Sequence, residues 1–193
     1  MKRIAAVLLA VVLAFSMSAC GEKVDPEIQK KNEEALAGIN KDYIGQYLGD
    51  GTYQFEDITY KVNQNWEVKP DAFDLYKQNS FAYLPDGGGY ILVMCSIKME
   101  KSDLEEDWDK IKNPEYESKL TFLGEKEING IQCLEYKYSY VRPDDGQNIF
   151  QYDTYIPNGD GMLTLRLSSF DEEVFNKLEK EYIKIVSSIK YEK

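Results

Sequence analysis

Ile131-Gln-Cys-Leu-Glu-Tyr-Lys-Tyr-Ser-Tyr-Val141, then Arg142-Pro-Asp-Asp-Gly-Gln147, then Asn148 to Ile156, is the stretch from which the fold can be read. Strand-forming residues alternate with polar ones, and Pro, Asp and Gly punctuate the runs, which is the pattern of strands joined by turns. A second turn, Pro157-Asn-Gly-Asp-Gly161, leads into Met162 to Ser169, so three strands form an antiparallel meander. Parity along the strands predicts one apolar face of Leu134, Tyr136, Tyr138 and Tyr140 with Phe150, Tyr152, Ile156, Leu163, Leu165 and Leu167. The other face is expected to be wet, with Glu135, Lys137, Gln151, Asp153, Thr164 and Arg166. Tyr155 falls among those polar neighbours, so Lys137, Asp153, Tyr155 and Arg166 are the candidate contact surface.

Outward from the meander, Ser169-Phe-Asp-Glu172 reads as a capping box. Val174, Phe175, Leu178, Tyr182, Ile185, Val186 and Ile189 then space an amphipathic helix able to cover the apolar face, and Lys190 to Lys193 are expected to fray. On the N-terminal side, Leu120 to Ile128 is a strand and Asn129-Gly130 is the strongest hairpin signal in the chain. Ser102-Asp-Leu-Glu105 caps a helix carrying Leu104, Trp108 and Ile111. The acids opposite, Asp103, Glu105, Glu106, Asp107 and Asp109, read as a solvated face that opposes the helix dipole.

Phe81 to Leu84 and Tyr90 to Met99 flank the hairpin signal Pro85-Asp-Gly-Gly-Gly89. The second of these strands has apolar residues on both sides at Ile91, Leu92, Val93 and Met94, as a central strand would. Tyr53 to Val62 alternates except at Glu56-Asp57, where a bulge or a hairpin restores the phase. Trp66 reads as a core plug. Asp25-Pro26-Glu27 starts a helix, and Ile28, Ala35, Leu36, Ile39, Tyr43, Tyr47 and Leu48 continue at helical spacing across Gly38 and Gly45. This predicts one broken helix, or a helix and a hinge, mobile in its first half and docked in its second.

Met1-Lys-Arg3 followed by the apolar run Ile4 to Met17 and by Ser18-Ala19-Cys20 has the layout of an export signal. Met17-Ser-Ala-Cys20 resembles the lipobox of bacterial lipoproteins, which implies that Cys20 is the lipid attachment site and first residue of the mature chain. Each buried methylene contributes about 0.8 kcal/mol, so two acyl chains anchor where one would exchange. The expected organisation is a signal peptide over 1–19, a lipidated cysteine, leash and broken helix over 20–48, and one α+β domain over 49–193.

Loss of Lys2 and Arg3 takes the formal net charge from −11 to −13, which disfavours nucleic acid as a partner. The chain has no histidine, so Ser-His-Asp and Cys-His nucleophile systems and His-containing metal sites each lack a member. Cys95 and Cys133 lie in strands outside the cytoplasm, and two readings stand: a disulfide, or two buried thiols that pack as small hydrophobes. The turns Asp144 to Asn148 and Asn158 to Gly161 lack the acidic calcium-loop pattern. No pair of acids is singled out for carboxylate catalysis, and no cofactor or metal is expected.

The order of elements resembles the PsbP-like superfamily over about residues 53–189. It is carried by an aromatic strand into Asn65-Trp66, the strand Tyr90 to Met99, a short helix, Gly124-Glu-Lys-Glu-Ile-Asn-Gly130, a Tyr-rich strand, two more strands, and a terminal helix ending Ile185-Val-Ser-Ser-Ile189. The resemblance implies a single antiparallel sheet of six or seven strands packed against helices. Better-known members act by binding, to a photosystem core or a small GTPase. The expectation is a non-enzymatic, membrane-anchored binding or accessory domain facing outside the cytoplasm, with an envelope protein or glycan as partner. The alternative is a small-ligand or envelope-polysaccharide binder that uses exposed tyrosines.

Overall fold

Asn129 and Gly130 both adopt left-handed backbone, with φ of 51° and 85°, the geometry of a two-residue hairpin turn that these two residue types tolerate best. They join β7 (Lys119–Ile128) to β8 (Ile131–Val141), with Ile128 opposite Ile131. This computed structural model describes residues 24–39, 45–70, 80–96, 119–158 and 161–191. The expected signal segment, Cys20 and the helix expected over Ser102 to Ile111 lie outside them.

The meander continues through β9 (Asn148–Asn158) and β10 (Gly161–Ser169). β10 then pairs not with another late strand but with β6 (Tyr90–Ser96), which pairs with β5 (Ser80–Leu84) and through it with β4 (Glu67–Pro70). The result is a seven-stranded antiparallel sheet in the order β4-β5-β6-β10-β9-β8-β7. β6 is central and covered on both faces, as its continuous apolar run predicts: Ile91, Val93 and Cys95 are buried on one side and Leu92 and Met94 on the other.

A second sheet, absent from the sequence reading, packs on the first. β1 (Gly45–Gly49), β2 (Thr52–Phe55), β3 (Ile58–Lys61) and β11 (Lys190–Tyr191) lie in the order β1-β2-β3-β11. Glu56-Asp57 is the tight turn of the β2–β3 hairpin, with Phe55 opposite Ile58. Two expectations fail here. Gly45 to Leu48, read as docked helix, is a strand whose Tyr47 lies opposite Tyr53; cross-strand pairing outweighs a helical spacing already weakened by two glycines. Lys190 and Tyr191, expected to fray, pair with Thr59 and Ile58.

One face of the large sheet is covered by the small sheet and by helix α2 (Glu172–Ser187). Tyr53, Phe55 and Tyr60 meet Phe81 and Tyr83 at ring separations of 5.0 to 6.3 Å, while Phe175, Leu178, Tyr182, Ile185 and Val186 bury against the β9–β10 strip. Trp66 is a core plug, 8% exposed. The cap of α2 is Asp171 rather than Ser169: its carboxylate accepts from the N–H groups of Glu173 and Val174, and the Ser169 hydroxyl instead accepts from Asp171 N–H. Gly89, at φ +74°, lets the β5–β6 hairpin approach the helix, since an added Cβ would lie 2.9 Å from Leu178 Cδ1 and 3.2 Å from the Ser168 carbonyl oxygen.

Helix α1 (Pro26–Ala37) starts as Asp25-Pro26-Glu27 predicts, with the Asp25 side chain accepting from Glu27 N–H. It is the docked segment, not a mobile one. The Asn32 side chain donates to the Trp66 carbonyl at 2.9 Å and accepts from Val68 N–H at 2.8 Å, and the Asp25 N–H donates to Asn65 Oδ1 at 2.8 Å. A side-chain amide thus takes the place of a neighbouring strand beside β4, one way in which a sheet edge is protected.

Candidate functional site

Cross-strand partners share a sheet face, and the observed register corrects the predicted one. Leu134 is opposite Tyr155, Tyr136 is opposite Asp153, and Asp153 is in turn opposite Arg166. Leu134, Tyr136, Tyr138 and Tyr140 therefore share a face with Tyr155, Asp153 and Arg166, while Glu135 and Lys137 lie under α2 with Tyr152, Thr154 and Leu165. The expected contact surface divides accordingly. Lys137 is on one face; Asp153, Tyr155 and Arg166 are together on the other.

That second face is not wet at its centre. Asp153 is 0% exposed and Tyr155 5%, so Tyr155, expected to be an exposed contact, is a buried one. The Arg166 guanidinium grips the Asp153 carboxylate in a fork, Nε to Oδ1 at 2.9 Å and Nη2 to Oδ2 at 2.8 Å. The Tyr138 and Tyr155 hydroxyls both donate to Oδ2, at 3.0 and 2.8 Å. Burial, with Asp153 alongside, pushes both phenols well above their ordinary range. Burial alone would lower the Arg166 guanidinium, but the Asp153 carboxylate holds it well above its usual value. Both carboxylate oxygens are occupied by donors from this chain, so the cluster fixes strand register rather than presenting a base to a ligand.

Tyr138 is the member that parity misses, because the predicted phase sets the even-numbered positions of β8 with Tyr152 and Leu165 rather than with Asp153 and Arg166. Two charged residues in the interior of long strands were the available signal, since such residues are seldom buried unless paired.

On the α2 side, Lys137 lies in a different setting. Its ammonium reaches the Glu179 carboxylate at 2.9 and 3.0 Å and stands 5.1 Å from the centre of the Phe175 ring. Beside this pair an open groove of about 570 Å³ runs between the first turns of α2 and strands β7 to β9, lined among others by Thr121, Lys137, Ser139, Phe150, Glu172, Phe175 and Asn176. It offers hydroxyls, the rings of Phe150 and Phe175, the Glu172 carboxylate and a paired ammonium. Among the described residues no group of three or more His, Cys, Asp or Glu side chains converges as a metal site, and no helix is long and apolar enough to cross a membrane.

The two cysteines are separate and buried, and no disulfide joins them. Cys95 is opposite Leu163, Leu163 is opposite Ile156, and Cys133 is in the neighbouring strand beyond. Three interstrand steps of about 4.8 Å separate the thiols, whereas a disulfide needs Cα atoms within about 7 Å. Burial, reinforced by Glu135, pushes the Cys133 thiol up to about 11.

The two sheets, the terminal helix lying on one face and the long meander define an α+β protein with a PsbP-like fold. The solution structure of cyanobacterial PsbP (CyanoP) from Synechocystis is similar at a TM-score of 0.50 and 12% identity, over 91% of this chain and 99% of that one. LpqN of Mycobacterium tuberculosis, described as involved in cell envelope biogenesis, is similar at 0.46 and 15%, over 82% and 98%. The Ran-binding protein Mog1p of Saccharomyces cerevisiae is similar at 0.45 and 14%, over 76% and 94%. The fold assignment rests on the first of these. No protein-family model matches the sequence, and no curated protein matches it significantly.

Proposed function

We propose that the chain is a lipid-anchored accessory protein outside the cytoplasm, without catalytic activity, that binds a protein of the cell envelope in the groove beside α2. The groove carries this reading. Among the described residues it is a place where sheet residues of the meander stay accessible next to a helix, and its lining suits recognition by hydrogen bonds and ring contact. Met17-Ser-Ala-Cys20 supports the anchor and the compartment. The location of the binding surface moves from the face of Asp153, Tyr155 and Arg166, which is closed, to the face of Lys137.

A photoreactive residue at Asn176, which is exposed on the groove wall, should form an adduct with a discrete protein in the native envelope. Thr121→Arg, which fills the groove from an exposed position on β7, should abolish that adduct while the fold is kept. Retention on isolated cell wall with no protein adduct would overturn the reading in favour of polysaccharide binding. Cys20→Ala should release the protein from the membrane fraction.

A further inference from the structure

We infer that the end of the domain formed by Val24, Lys61 and the β3–β4 loop is held against the phospholipid headgroups, and that the groove is thereby directed away from the bilayer. This rests on lipid attachment at Cys20. The argument begins with where the tether ends. Because Asp25 and Asn32 fix α1 to Asn65, Trp66 and Val68, and because Leu36 and Ile39 pack against the main core, the tether ends at Val24. Four residues from Cys20 span at most about 14 Å.

A domain of this size is roughly 40 Å across. A 14 Å leash cannot reach around it, so the membrane meets the side on which Val24 lies. That side is defined by a hollow of about 340 Å³ shared by Val24, Lys61, Asn63, Gln64, Lys184 and Ile185. The groove instead borders Glu172, Phe175 and Asn176 at the other end of α2. At 1.5 Å per helical residue the two places are about 12 to 20 Å apart along the helix.

At the tether end Lys184 is paired with Glu181, which lines the same hollow, and Asp25 adjoins Val24, so the leash rather than charge sets the orientation. Docking of α1 therefore sets both the height and the facing of the groove. Were α1 to detach, the constraint would pass to Gly45 and the limit would rise to roughly 85 Å.

The test uses the lipidated chain, extracted from membranes and placed in nanodiscs of phosphatidylglycerol and phosphatidylethanolamine doped with a gadolinium-chelate headgroup lipid. Amide broadening should be strongest at Val24, Lys61, Gln64 and Lys184 and several-fold weaker at Glu172 and Asn176. Asn32→Ala, with sheet amides unshifted as the control for folding, should flatten that gradient. Equal broadening at both ends of α2 in the unaltered chain, or stronger broadening at the groove, would overturn the inference. The mass of the extracted protein separates it from its premise, since a chain without diacylglycerol on Cys20 refutes lipid attachment itself and not the geometry.

Discussion

Replacing Arg166 with Met removes the fork that neutralises Asp153 while keeping an unbranched apolar stem of similar length. Asp153 is 0% exposed and accepts from the guanidinium twice. The Tyr138 and Tyr155 hydroxyls remain as donors, but neither carries charge. Breaking a buried pair by deleting one partner costs about 3 to 5 kcal/mol, against a total stability of about 5 to 15 kcal/mol for a domain. The melting temperature should fall by about 10 °C. Urea titration followed by circular dichroism reads the loss as a drop in midpoint at unchanged slope.

A companion variant isolates the cause. Arg166→Met combined with Asp153→Leu, Tyr138→Phe and Tyr155→Phe leaves no polar atom of the cluster unpaired. It should return to within about 2 kcal/mol of the unaltered protein, because replacing a whole buried network is far less costly than breaking it. A loss of less than about 1 kcal/mol for Arg166→Met alone would refute the view that this cluster fixes the register of β8, β9 and β10.

Two further outcomes follow from the same structure. Asn129→Ala should cost about 2 kcal/mol, since the Asn129 side chain donates to the carbonyls of Ser187 and Ile189 at the end of α2 and Ala tolerates the φ of 51° poorly. Asn129→Gly keeps the turn and should cost visibly less in the same denaturation assay. The Cys133 thiol, raised to about 11, is protonated at pH 8 and should alkylate at least 100-fold more slowly than an ordinary thiol in the folded protein. A folded value above the unfolded one means that this group's contribution to stability is complete below about pH 9 and is lost as the pH rises towards 11. Fast alkylation of Cys133 at pH 8, read by peptide mass, would contradict its burial.

Each strand of the meander was legible because a strand and its turn are local matters. Asn129-Gly130, the Pro85 to Gly89 turn and the turn at Arg142 to Gln147 lie where their residue types placed them, with Val141 opposite Asn148 across the last of these. The apolar stripe of α2 was equally legible, down to burial of Phe175, Leu178, Tyr182, Ile185 and Val186. The candidate site was not. Parity along each strand groups its four expected residues only once the phase between strands is known. The phase between β8 and β9 is set by the turn from Arg142 to Gln147, and a one-residue slip exchanges the two faces.

The sequence alone determined the antiparallel α+β character, the terminal helix, the absence of any histidine chemistry and the presence of a lipobox-like segment, because these depend on residue type and short-range spacing. Only the tertiary structure decided that Asp153, Arg166, Tyr138 and Tyr155 close on one another, that Lys137 faces the helix, and that Cys95 and Cys133 are three strand spacings apart. It also decided that Gly45 to Gly49 and Lys190 to Tyr191 become the edges of a second sheet, and that Asn32 holds α1 beside β4. These pairings join residues up to about 130 positions apart, as between β3 and β11. Their energy comes from burial and hydrogen bonds that exist only once the partners meet.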